Sequence, residues 1–168
     1  MAVIAPLVLV LALAAAVLGE CHNPPAVDNL DSSEILGTWK AIAWPKKYNG
    51  KYKCGNQTLE RSGDVINYVI HQYNVTAGAW ETSHGHISET GHSGRYHGER
   101  VGLDNNVNWD VVGISPGKWL VYHQCRVDIG SEIAIALYKD GVTLTPEEKA
   151  AAIAALPGPA DLYSECPE

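Results

Sequence analysis

The chain has 168 residues, with 12 lysines and arginines against 19 aspartates and glutamates and a formal net charge of −7. That balance argues against phosphate backbones and anionic membrane surfaces, so no nucleic-acid partner is expected. Lys46-Lys47 are adjacent cations, but they make too small a patch to change this.

Residues 1–19, MAVIAPLVLVLALAAAVLG, carry no charged side chain and end with Val17 and Gly19 at the minus-three and minus-one positions of a plausible cleavage. The run reads as a secretory signal peptide, although it lacks the usual Lys or Arg at its start. No second apolar run approaches membrane length, so residues 20–168 are expected to be one exported domain, not an integral membrane protein. Whether it is a monomer or a homodimer is left open by the sequence. Cys21, Cys54, Cys125 and Cys166 are dispersed, without the close pairs of a zinc site. Behind an export signal they imply two disulfides, with three pairings possible. Asn56-Gln57-Thr58 and Asn74-Val75-Thr76 are glycosylation sequons, at Asn56 and Asn74.

Eight segments then read as strands: GTWKAIAW (37–44), KYKCGNQTLE (51–60), DVINYVIHQY (64–73), AGAWETSHGH (77–86), GRYHGERV (94–101), NNVNWDVVGI (105–114), WLVYHQCRV (119–127) and SEIAIALYK (131–139). They are rich in β-branched and aromatic residues and are separated by turn residues, such as Ser62-Gly63, the Ser88-Glu89-Thr90-Gly91 region and Ser115-Pro116-Gly117. With no helix between them, they predict an all-β, eight-stranded, up-and-down antiparallel barrel or a sandwich. Alternation puts Val107, Trp109 and Val111 on one face and Ile133, Ile135 and Leu137 on another such face. WLVYHQC is amphipathic on neither face. One C-terminal α-helix follows. Thr145-Pro146-Glu147-Glu148 supplies an N-cap, a first-turn proline and a capping box, and Pro157-Gly158-Pro159 ends the run. Ala150, Ile153 and Ala154 are expected on its sheet side.

This layout resembles the lipocalins, and is most similar to the arthropod bilin-binding and apolipoprotein-D-like group. The likeness rests on CHNPPAVDNLD ahead of LGTWK, which holds the G-x-W pair Gly37 and Trp39. It rests also on YKCG with Cys54, WLVYHQC with Cys125, and the capped helix followed by Cys166. The resemblance implies an up-and-down barrel with the helix packed outside. It also implies the disulfides Cys21–Cys125 and Cys54–Cys166. Two features depart from the pattern. ISPGKW stands where the family has a T-D-x-x-x-Y-like turn, and Lys139 replaces the arginine that covers the G-x-W tryptophan.

The resemblance further implies a carrier that holds a small hydrophobic ligand inside the barrel. Its relatives suggest a bilin or carotenoid pigment, with no cofactor required. Parity nominates Tyr68, Val107, Trp109, Tyr122, Gln124, Ile133 and Ile135 as ligand-lining. The stretch TSHGHISETGHSGRYHG holds four of the seven histidines. Trp80, His84 and His86 share a strand face that the bulk of Trp80 assigns to the interior, with Tyr96 on the neighbouring strand. On this reading they form a polar lip to an apolar cup. A metal would need a third nitrogen, such as that of His97, and none is assigned. Without a G-x-S-x-G, HExxH or glycine-rich phosphate motif, no enzymatic role is expected. The alternative is a secreted surface-acting defence or signalling factor; a lipocalin-type enzyme or haem carrier is less favoured.

Overall fold

The computed structural model describes residues 21–44, 52–101, 103–126 and 130–158, with the backbone alone for 103–106. The leader 1–19 and Cys166 lie outside the described residues. Eight strands form a closed barrel in sequence order: β1 (Gly37–Ala43), β2 (Tyr52–Ser62), β3 (Val65–Asn74), β4 (Ala79–Glu89), β5 (Arg95–Arg100), β6 (Leu103–Ser115), β7 (Trp119–Arg126) and β8 (Ser131–Lys139). All neighbours are antiparallel, and β1 closes on β8. β4 runs past its predicted end. It continues through Glu89, so the turn to β5 starts at Thr90 rather than at Ser88.

Four register shifts interrupt the ladders, one of them between Ala41 and Ala43. The extra residue reverses the alternation there. Ala43 accordingly joins an outer apolar cluster with Val121, Ala134 and Ala136, while Trp44 returns to the inner one. The helix α1 (Pro146–Ala154) covers that outer cluster through Ala152 and Ile153, and Leu156 just past its end adds to the cover. Of the face expected from sequence, Ile153 packs on the sheet, whereas Ala150 and Ala154 are exposed and Ala152 is buried in their stead. The capping box is present: Glu148 N donates to Thr145 Oγ1 at 3.2 Å and Thr145 N to Glu148 Oε2 at 2.9 Å. Among the described residues no helix is long and apolar enough to cross a membrane.

Coverage on both sides explains why WLVYHQC shows no polar face. Leu120 and Tyr122 pack inside the barrel and Val121 packs outside under α1, so both parities are buried. Below the barrel, a 3-10 turn (Ser32–Ile35) plugs the end at which β1 begins. Ile35 O accepts from Trp39 Nε1 at 2.8 Å. Lys139 Nζ sits 4.6 Å from the Trp39 ring centroid and donates to Leu36 O, so the lysine occupies the covering position expected for an arginine. Gly37, at φ 104°, has room only for hydrogen beside that ammonium.

The Cys21–Cys125 disulfide is present, with Cα atoms 5.9 Å apart. It holds the N-terminal segment against the end of β7. From there the segment runs down the wall, where Val27 N donates to Val111 O at 2.8 Å and Leu30 N to Ser93 Oγ at 2.6 Å. Cys54 is also disulfide-bonded.

Candidate functional site: the barrel mouth

Strand direction defines the two ends. β1 starts at the plugged end, so β2, β4, β6 and β8 start at the opposite, open end. A hollow enters there. Its depth is lined by Tyr68, Trp109, Tyr122 and Ile135, its walls by Ile70, Val107 and Ile133. Tyr52, Gln72, Ser83, Arg100, Gln124, Arg126 and Ser131 add the polar groups. Counting the solvent-filled mouth, the space is about 660 Å³.

The floor is aromatic. Trp109 stacks on Tyr122, with centroids 4.7 Å apart and planes 17° off parallel, and Tyr68 lies 5.3 Å from Trp109. These rings and the residues beneath them, Trp39, Leu59, Ile66, Ile87, Tyr96, Leu120 and Leu137, fill the lower barrel. The usable space is therefore a shallow cup with a flat aromatic base. Burial pushes the Tyr122 hydroxyl far above its ordinary pKa, so it stays a neutral hydrogen-bonding group. Two buried polar groups on the inner side, the Gln57 amide and Trp44 Nε1, have no hydrogen-bond partner among the described residues. Gln57 faces Ile70 of the cavity wall across the β2–β3 ladder.

Seven sequence-nominated residues line this cup: Tyr68, Val107, Trp109, Tyr122, Gln124, Ile133 and Ile135. Tyr96 is interior but lower, 3% exposed and at the edge of a separate hollow near Leu30, Ser32 and Glu89. Burial and the charge of Glu89 push its hydroxyl up to about 12.

Trp80, His84 and His86 are corrections. Antiparallel partners directly opposite share a face, and inward Tyr68, Ile70 and Gln72 of β3 oppose Gly85, Ser83 and Glu81. The odd residues of β4 therefore point inward and the even ones outward. Trp80 is 39% exposed, stacked on His71 at 4.8 Å with planes 8° apart, and set edge-on to Tyr73. His84 is exposed, and His86 Nε2 lies 3.5 Å from Glu99 Oε2 on the outer surface. Size argued for burying Trp80; an outer ladder of rings gives it cover instead. The histidines thus do not form a lip to the cup. Among the described residues no three His, Cys, Asp or Glu converge as metal ligands.

Seven lining residues were not anticipated, among them Arg100, Arg126 and Gln72. Arg100 follows Tyr96 and Gly98 on the inner parity of β5, a signal available in the sequence but masked by the habit of placing charges outside. The Asn74 sequon is also corrected. Asn74 is 3% exposed, its Nδ2 donates to Glu81 Oε1 at 2.7 Å, and its Oδ1 accepts from Thr76 N and Ala77 N. Asn56, by contrast, is exposed.

No protein-family model matches the chain, and no curated protein matches it by sequence. Solved structures do match its shape. The amine binding protein of Rhodnius prolixus, in its tryptamine complex, aligns with a TM-score of 0.64 at 14% identity, over 80% of this chain and 78% of that one. Insecticyanin from the tobacco hornworm Manduca sexta aligns at 0.59 and 19% identity, over 82% and 77%. Lobster apocrustacyanin A1 aligns at 0.56 and 11% identity, over 74% and 71%. At such identities the likeness establishes architecture. The chain has the lipocalin fold: a closed eight-stranded antiparallel barrel with one helix packed outside.

Proposed function

We propose that the protein is a secreted carrier for a small, largely apolar ligand held in the mouth of the barrel. The observation that carries this reading is the open cup with a stacked Trp109–Tyr122 base, apolar walls and a polar rim. Such a cup gains roughly 25 cal/mol for each Å² of apolar ligand surface removed from water, while rim groups fix orientation. The disulfide and the apolar leader support an oxidising, extracellular setting. The fold neighbour whose structure is a tryptamine complex supports the use of this architecture for compact aromatic guests.

The pigment refinement is weaker than the carrier reading. Its sequence motive, a Trp80–His84–His86 lip, now lies on the outer surface, and the filled lower barrel favours compact guests over a long bilin or carotenoid. A surface-acting role has one observation in its favour, the exposed Trp80–His71–Tyr73 ladder.

Ligand-dependent stabilisation is the test. A carrier gains melting temperature with a saturating ligand, by the mass-action relation. A panel of small aromatic and aliphatic compounds is expected to raise the Tm of wild type, and to raise it less for Trp109→Ala. No stabilisation by any member would overturn the reading in favour of the outer surface. The absorption spectrum of purified protein tests the pigment separately.

A further inference from the structure

Resting on the carrier reading, we infer that the ligand is an acid: a compact aromatic or apolar body lying on the Trp109–Tyr122 base, with a carboxylate held at the mouth by Arg100. The inference begins with where this chain keeps its cations. On the outside, Lys40 pairs with Asp140 at 2.7 Å, Arg61 with Glu89 at 3.4 Å, and Lys118 with Glu148. Arg95 stands 3.9 Å from Asp110. Arg100 instead turns into the barrel, on the inner face of β5, and has no carboxylate partner among the described residues.

Arg126 also lines the cup, and the other polar lining groups are neutral: Tyr52, Gln72, Ser83, Gln124 and Ser131. No carboxylate lines the cup among the described residues, in a chain of net charge −7. Glu81 has the inner parity of β4, opposite Gln72, but does not line the cup. It is engaged by the Tyr52 hydroxyl at 3.1 Å and the Asn74 amide at 2.7 Å. A guanidinium in a partly desolvated cup offers a planar fork that matches a carboxylate and repels an ammonium. Tyr68 and Arg100 line the same cup; burial raises the Tyr68 hydroxyl above its ordinary pKa, and the Arg100 charge opposes that rise.

A matched indole series separates charge from shape: indole-3-acetate, 3-methylindole and tryptamine share one ring and differ in charge. Titration calorimetry at pH 7 is expected to give indole-3-acetate at least tenfold tighter than tryptamine, with 3-methylindole between. The acid's advantage should shrink at high salt. In Arg100→Gln the acid should lose its advantage and bind no tighter than 3-methylindole does to the same variant. Arg100→Lys, retaining charge without the fork, should be intermediate. Equal binding of acid and 3-methylindole by wild type would overturn the inference and leave the carrier standing. So would an acid preference unchanged in Arg100→Gln. Absence of binding by all three would overturn the carrier reading for guests of this size, and this inference with it.

Discussion

Tyr68 and Gly85 sit directly opposite each other on β3 and β4, and the tyrosine ring occupies the place a side chain at 85 would take. A Cβ added there would lie 2.6 Å from the Tyr68 hydroxyl oxygen and would also meet Glu99 O of the next strand. Gly85→Ala is therefore expected to destabilise by about 1–3 kcal/mol, the usual cost of overpacking. It should also push Tyr68 into the cup and weaken ligand binding. Urea denaturation and ligand titration of the same variant check both effects.

That pairing also shows what was and was not legible in the sequence. Strand number, helix position and the interior parity of β6 and β8 were readable because alternation there is clean. Val107, Trp109, Ile133 and Ile135 followed from it directly. On β4 the alternation offers two faces of mixed character, and choosing by side-chain size put Trp80 inside. The deciding signal was smallness: Ser83 and Gly85 make room for Ile70 and Tyr68, which requires knowing the β3–β4 register. Register is a property of two strands, not of one.

Lys139 covers Trp39 and bonds the Leu36 carbonyl. Lys139→Ala should lower stability by about 0.5–2 kcal/mol, in the range of a partly desolvated cation–π contact. Lys139→Arg should hold or exceed wild-type stability. Thermal melts of the two variants compared with wild type give the answer, and a silent alanine variant would mean the ammonium contributes nothing there.

Gln57 is 1% exposed and its amide has no partner among the described residues. A buried polar group left unmatched costs about 1–3 kcal/mol. Gln57→Leu, similar in volume, is expected to raise the stability of the ligand-free protein by up to that amount, measured by urea denaturation. A loss of stability would show instead that the amide is satisfied in solution.

His123 is 1% exposed, on the outer face of β7 between Asp110 of β6 and the β8 side, with Nε2 3.4 Å from Glu132 Oε1. Burial holds its pKa below the ordinary 6.5, outweighing the attraction of Glu132 and Asp110. The unfolded chain therefore takes up the proton first as pH falls. Stability is full above 6.5 and declines below it, towards the folded-state pKa. Asp110, raised above its ordinary 3.8 by burial, acts with the opposite sign, adding stability as pH falls through its folded-state pKa. Denaturation midpoints at pH 7.5 and 5.0 should differ in wild type and differ less in His123→Gln. An equal slope in both would assign the effect to another group.

The mooring of Cys21 to Cys125 places the entry of the described chain beside Arg126 and Ser131, at the rim of the cup. Any support or fusion partner attached just ahead of Cys21 would therefore stand at the entrance and obstruct loading. The hairpin tip Gly63-Asp64, at the opposite pole between β2 and β3, is exposed and has open space around Gly63. Immobilisation through that tip leaves the entrance facing solution.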